Sequence, residues 1–379
     1  MVEGHKVSAS PAGLMRFAEA VADALAGAEP HALAATLPQG PATIGRGALG
    51  NALFLAEMAR LTERERYLAA ARNHAGAAAR FALTPASGYV VPLPGTAAAF
   101  FYSLHGGRAG MAYVAAQIAD VAGERTERSR AIAEVAELAQ PSIESGFAEL
   151  YDGAAGFAEA AAGMAASFED LAPGDREALG SVCGRATDSL LAGAAAPSAQ
   201  GDPLGLAHGR AGVLYAAVRH AGADARVEAA LSDFAARAVE SYGLTVWPGT
   251  AGAQPTPDAV EVSWCNGATG MLRLFLRAHR SAPTPLTAQL VNRATTTLAA
   301  VRTPNPTLCC GAMGQALALA DFSAAARGNP LAALVRSLAR QSMRGAAGLP
   351  LQMFTGLTGV AFGALSLAHP GTRRPIGCA

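Results

Sequence analysis

Residues 207–221 read AHGRAGVLYAAVRHA: a histidine, a Gly-x-x-Gly pair at Gly209 and Gly212, then an apolar run of helical length. The same pattern recurs along the chain. Further pairs stand at Gly47/Gly50, Gly107/Gly110, Gly153/Gly156, Gly267/Gly270, Gly311/Gly314 and Gly356/Gly359, and successive first glycines are 60, 46, 56, 58, 44 and 45 residues apart. A supersecondary unit repeated at this period cannot bury its own apolar face alone and must stack on its neighbours. The glycines imply a positive φ or a close backbone approach just before each apolar helix.

A second kind of segment alternates with these units. Residues 12–27, 65–82, 127–140, 175–191, 225–242, 287–301 and 330–343 carry apolar residues at helical spacing on one face and charge on the other. The helices after the glycines are apolar nearly all round, as buried helices are. Seven amphipathic helices alternating with seven apolar ones predict an outer ring around an inner ring, an all-α α/α toroid formed by residues 1–379 as a single domain. All inner helices then start on one rim. Short extended pieces are expected near Tyr89–Val91 and Leu244–Trp247. The Pro/Gly/Ala-rich connectors 83–104, 193–207 and 243–262 are expected over the same rim.

Composition narrows the function. A hydrophobic content of 51% with 15% charged residues suits a large core and argues against disorder. The formal net charge is zero, which gives no electrostatic reason to bind nucleic acid or an anionic membrane. Glu19 and Asp23 interrupt the apolar N-terminal segment, so it does not read as a signal peptide. The uncharged run Gly345–Thr372 is long enough to span a bilayer but is broken by Pro350 and several glycines, and reads as a loop plus a buried inner helix. Five cysteines, two of them adjacent, make no disulfide framework and point to a reducing, cytoplasmic setting.

Reactive residue types cluster immediately before the glycines of the middle repeats. Cys265 stands two residues before Gly267, and Cys309 and Cys310 directly precede Gly311. Three thiolates can bind one Zn²⁺ tetrahedrally and leave the fourth position for water or substrate, as in a catalytic site. Cysteine is also a common small buried residue; three at matching repeat positions favour the metal. Cys183 lies on the apolar face of its segment and reads as core, and Cys378 as a free thiol. His208, one residue before Gly209, is the candidate general acid or base, because imidazole titrates near neutral pH. Asp152, one residue before Gly153, can cap its helix, orient His208, or do both. His105 holds the register of Cys265 and Cys309 and can face the cavity or the core; the other histidines, His74 among them, read as helix surface or ends. Arg46, Arg108 and Arg210 recur within the glycine units and read as rim ion pairs or as ligands for peptide groups.

Trp264-Cys265-x-Gly267-x-x-Gly270, Cys309-Cys310-Gly311 and His208-Gly209-x-x-Gly212 together resemble the LanC-like lanthionine cyclases, over almost the whole chain. The resemblance implies an α/α toroid and a zinc enzyme that adds a peptide cysteine to dehydroalanine or dehydrobutyrine of the same dehydrated precursor peptide, forming a thioether ring. It maps the zinc ligands to Cys265, Cys309 and Cys310, the active-site histidine to His208 and the active-site aspartate to Asp152. Cys310 stands where the family usually has a histidine ligand, which places the chain with the three-cysteine subgroup. Asn266 replaces a common tyrosine and Glu261 a common arginine. With no room for a dehydratase, the dehydrated peptide is expected from a separate protein. The alternative within this resemblance is a non-catalytic, zinc-dependent thiol- or peptide-binding protein. A glycosidase needs two carboxylates across a cavity, and Asp152 is the only acid directly before a glycine pair; no Asp-rich or basic cluster suits a prenyl diphosphate.

Overall fold

The computed structural model describes residues 8–35, 42–82, 102–195, 199–222, 224–253, 260–325 and 331–377. Tyr89–Val91, most of the 83–104 connector, His5 and Cys378 lie outside them. The helices are α1 (Pro11–Ala26), α2 (Pro30–Ala35), α3 (Ala48–Thr62), α4 (Glu65–Ala82), α5 (Arg108–Ala122), α6 (Arg125–Glu144), α7 (Ala154–Ser167) and α8 (Pro173–Ala195). They continue with α9 (Arg210–Ala221), α10 (Ala225–Ala236), α11 (Ala268–Ser281), α12 (Pro285–Ala300), α13 (Ala312–Ala325), α14 (Ala332–Gly345) and α15 (Leu357–Ala368).

The helices that follow the glycine pairs form the inner ring of an α/α toroid. Helix α3 packs on α5, α7 on α9, α9 on α11, α11 on α13 and α13 on α15, and α15 returns to α3. Outside them, α4 lies on α3, α6 on α5, α8 on α7 and α9, α10 on α8 and α9, α12 on α11 and α14 on α13. Helix α1 comes first in the chain but packs on α15, so the two ends of the sequence close the outer ring. The core fills the space between the rings: Val21, Phe54, Ile132, Phe157, Leu179, Phe234, Phe275, Leu298 and Phe362 are all fully buried. The run Gly345–Thr372 becomes the end of α14, a loop and the buried helix α15. No described helix is long and apolar enough to cross a membrane.

The glycines serve close approach. Gly267 caps α11 with φ −112° and ψ −167°, an extended conformation open to any residue. A Cβ there would lie 2.3 Å from the carbonyl oxygen of Glu261, and one on Gly270 would lie 2.3 Å from that of Trp264. The chain before each inner helix thus folds back onto the first turn of that helix, and only glycine leaves room.

Two expectations change. The segment 225–242 is not one helix: α10 stops at Ala236, and strands β1 (Val239–Ser241) and β2 (Leu244–Val246) form an antiparallel hairpin. Its two-residue turn holds Tyr242 at φ 49° and Gly243 at φ 73°, the primed-turn geometry that matches strand twist. His74 is fully buried under α4, with Nε2 3.2 Å from the Leu25 carbonyl, rather than on a helix surface.

Residues 369–377 cross the end of the inner ring away from the glycines. The Arg373 backbone N–H donates to Glu57 Oε1 at 2.7 Å, and its guanidinium reaches Asp120 Oδ2 and the Ser167 carbonyl, each at 2.7 Å. Arg374 pairs with Asp321 at 2.7 Å, and Trp264 Nε1 donates to the Gly377 carbonyl at 2.8 Å. This segment ties α3, α5, α7 and α13 together and then reaches the underside of the glycine rim.

A methyl group on Gly212 would meet Leu206 O at 2.1 Å and Leu150 Cβ at 2.7 Å. We expect Gly212→Ala to cost about 1–3 kcal/mol in thermal or chemical denaturation. Gly180, inside α8, has nothing within 4 Å of such a group; Gly180→Ala should instead stabilise by about 0.5–1 kcal/mol.

Candidate metal centre and acid–base pair

One local motif recurs along the rim. In four of the seven units a side-chain oxygen, four residues before the first glycine, accepts the backbone N–H of the residue just before that glycine. Thr43 Oγ1 does so for Arg46 at 3.1 Å, Ser103 Oγ for Gly106 at 2.8 Å, Glu149 Oε1 for Asp152 at 2.5 Å and Ser263 Oγ for Asn266 at 3.1 Å. With or without that bond, the glycine-capped turn leaves the residue before the first glycine at the mouth of the inner ring. Arg46, Gly106, Asp152, His208, Asn266, Cys310 and Thr355 therefore share a cavity of about 540 Å³, walled further by Tyr151, Trp264 and Phe354.

Cys265, Cys309 and Cys310 meet on one side of this cavity, with their sulfur atoms all within 4.8 Å of one another. Cys309 Sγ and Cys310 Sγ are 3.4 Å apart. Tetrahedral zinc with Zn–S bonds of about 2.3 Å requires sulfurs about 3.8 Å apart, so the donor set fits after a small opening, and the cavity beside it leaves space for a fourth ligand. Without a cation the three thiols cannot all ionise. Thiol donation from Cys309 and Cys310 pulls Cys265 well below the ordinary thiol range, and both donors are pushed up by giving their protons to it. Ser263 stands beside Cys265, with its oxygen 3.4 Å from the sulfur, and its hydroxyl donates to Glu261 Oε1 at 2.6 Å.

His208 also lines the cavity, and its side chain is 53% exposed. Its partner is Glu149, absent from the sequence reading: Nδ1 lies 2.6 Å from Glu149 Oε2. Asp152 neither caps α7, whose cap is Gly153, nor hydrogen-bonds His208; it acts on the imidazole through its charge alone. The physical reason is reach. Glu149 occupies the position that carries Thr43, Ser103 and Ser263 in other units. One of its oxygens makes the common turn bond, and the longer side chain leaves the other free for His208. An acid among hydroxyls at that position is the signal by which sequence could have found it.

The electrostatics follow. The hydrogen bond to Glu149 raises the His208 pKa above its ordinary value, and the nearby charges of Glu149 and Asp152 add to this. Burial pushes Asp152 up to about 6, and the neighbouring Glu149 carboxylate adds to the rise against the Ser103 hydrogen bond. With Nδ1 committed to Glu149, Nε2 is the ring nitrogen His208 offers to a ligand. Of the three arginines, Arg210 pairs with Asp233 at 2.8 Å and Arg108 with Glu134 at 3.8 Å; Arg46 lines the cavity. Cys183 is half-buried against the core.

A model of the lanthionine synthetase C-like protein family matches residues 38–376. The chain belongs to this family. No curated protein matches its sequence. Among solved structures, nisin cyclase superposes with a TM-score of 0.67 at 13% identity, covering 96% of this chain and 95% of its own. That likeness is one of fold. In this lanthionine synthetase C-like chain, the three sulfurs and the His208–Glu149 pair share the mouth of the inner ring.

A folded-state pKa above the ordinary value means that the His208–Glu149 pair stabilises the fold fully below about pH 6.5. The contribution is lost as pH rises through the raised value. We expect the His208 ring resonances to titrate above pH 6.5 and Glu149→Gln to move the midpoint down. The stability gap between Glu149→Gln and the native chain should close at alkaline pH.

Proposed function

We propose that this protein is a zinc-dependent lanthionine cyclase, acting as one domain on a dehydrated precursor peptide supplied by a separate dehydratase. The observation that carries the proposal is the placing of three sulfurs and a carboxylate-paired histidine in one cavity. Cys265, Cys309 and Cys310 would hold the zinc. When bound, the ion supplies the acidity that makes a peptide cysteine a thiolate at neutral pH, from an ordinary pKa of about 8.5. Three thiolates on a divalent ion leave a net negative charge, which favours a reactive and promiscuous nucleophile.

The chain's own residues manage the proton. Attack of the peptide thiolate on the β-carbon of dehydroalanine or dehydrobutyrine forms the carbon–sulfur bond and moves the alkene pair into an enolate. His208, whose protonated form Glu149 favours, gives the proton at Nε2 to the α-carbon. The proton released by the next cysteine thiol restores the imidazolium. Trp264, Phe354 and Tyr151 would line one side of the enolate with aromatic surface. Glu149 and Asp152 stand side by side on one loop, unlike the facing carboxylates a glycosidase needs. The free thiols of the described cysteines suit a reducing, cytoplasmic setting.

Purified protein should contain about one zinc per chain, and Cys309→Ala should lose it by metal analysis; full occupancy in that variant refutes the ligand set. With a dehydrated peptide, cyclisation is followed as loss of free thiol without mass change. His208→Asn, with zinc retained, should slow it by about 10²–10⁴-fold. Thiol-containing peptide held by the native protein without any thioether formed would mark a non-catalytic binder.

A further inference from the structure

The rim loops are joined to one another by a circuit of hydrogen bonds around the toroid axis. The backbone N–H of Tyr151 donates to Ala207 O at 3.0 Å, that of Ala207 to Cys265 O at 3.1 Å and that of Trp264 to Cys309 O at 2.6 Å. The Cys309 N–H donates to Phe354 O at 2.9 Å, that of Phe354 to Gly45 O at 2.9 Å and that of Ile44 to His105 O at 3.0 Å. One link remains, from the second unit to the third, and a side chain makes it: His105 Nδ1 lies 2.8 Å from Tyr151 O.

A carbonyl oxygen only accepts, so His105 carries its proton on Nδ1. The ring is 1% exposed, and burial pushes its pKa down to about 4, which keeps it neutral. Its Nε2 is buried with no hydrogen-bond partner. An unpaired buried acceptor is destabilising, and a phenylalanine would fill the same space without it. The His105 ring also stacks on Tyr151, with centroids 4.5 Å apart and planes at 14°, and the other side of the contact continues to His208, whose ring centroid is 5.0 Å from that of Tyr151. Tyr151 is free to lie there because Gly45 has no side chain; a Cβ would sit 2.3 Å from the tyrosine hydroxyl. The Tyr151 loop is also the one that carries Glu149, the partner of His208.

We propose that His105 is a positioning residue for cyclisation: its Nδ1–H bond to the Tyr151 carbonyl and its stack on the Tyr151 ring hold the Glu149 loop against His208. It touches no substrate and acts through Tyr151 and Glu149. The inference rests on His208 being the acid of the proposed reaction, but its structural half stands apart from that.

The test compares His105→Phe, which keeps a flat ring and loses the donor, with His105→Asn, whose side-chain amide places an N–H near the site of Nδ1. Both are studied in the zinc-loaded full chain below their melting temperatures. In His105→Phe the His208 ring resonances should titrate at lower pH than in the native chain, and kcat should fall by on the order of tenfold to a hundredfold with little change in KM. In His105→Asn both readouts should return most of the way. Unchanged His208 titration or unchanged kcat in His105→Phe overturns the proposal, as does an asparagine variant that fares no better than the phenylalanine one. If the native chain formed no thioether, the cyclase reading would fail, while the His208 titration would still decide whether His105 positions it.

Discussion

The fold depends on backbone touching backbone at the rim. Before each inner helix the chain turns back until its carbonyls sit within about van der Waals contact of the glycine Cα atoms, leaving no room for a Cβ; at Gly267 and Gly270 the nearest carbonyl oxygens would be 2.3 Å away. That packing fixes where each inner helix starts and leaves the residue before the first glycine at the mouth of the inner ring. Because the turn is repeated, its products converge: seven residues from distant parts of the chain line one cavity. The opposite end is held differently, by the paired charges of Asp120 and Asp321 with Arg373 and Arg374. The glycine rim is therefore repeated in backbone and varied in side chain.

Within the cavity two groups of side chains divide the charge. The three sulfurs form a site that is electrostatically frustrated without a cation, since only one thiol can ionise easily. Beside them, Glu149 holds His208 toward its cationic form. A soft cation would resolve the first group, and a base or nucleophile in the cavity would meet the imidazole of the second. Asp152, buried next to Glu149, is pushed up to about 6, and its charge adds to that of Glu149 in favouring protonated His208. The same logic of two acids in unlike surroundings separates roles at many acid–base sites.

The local rule that sets Glu149 against His208 is a small variation on a structural turn. Thr43, Ser103 and Ser263 use one hydroxyl to close their turns; a carboxylate with two oxygens closes its turn and reaches across to the next unit. His105 departs from the pattern in the same way, a side chain standing in for a backbone donor between the second and third units. The first departure touches His208, and the second reaches it through Tyr151.

Periodicity alone determined the two rings, their order and the common rim, because a glycine pair every 44–60 residues followed by an all-round apolar helix has few other ways to bury itself. It also marked Cys265, Cys309, Cys310, His208 and Asp152, since equivalent repeat positions become neighbours in a closed ring. Only the tertiary structure decided that Glu149 and not Asp152 is the partner of His208, that His74 is core, and that Tyr242-Gly243 turns a hairpin where a helix was expected. Those outcomes hang on side-chain reach and on a two-residue backbone turn, distances of a few ångströms that a pattern of residue types along one chain does not encode.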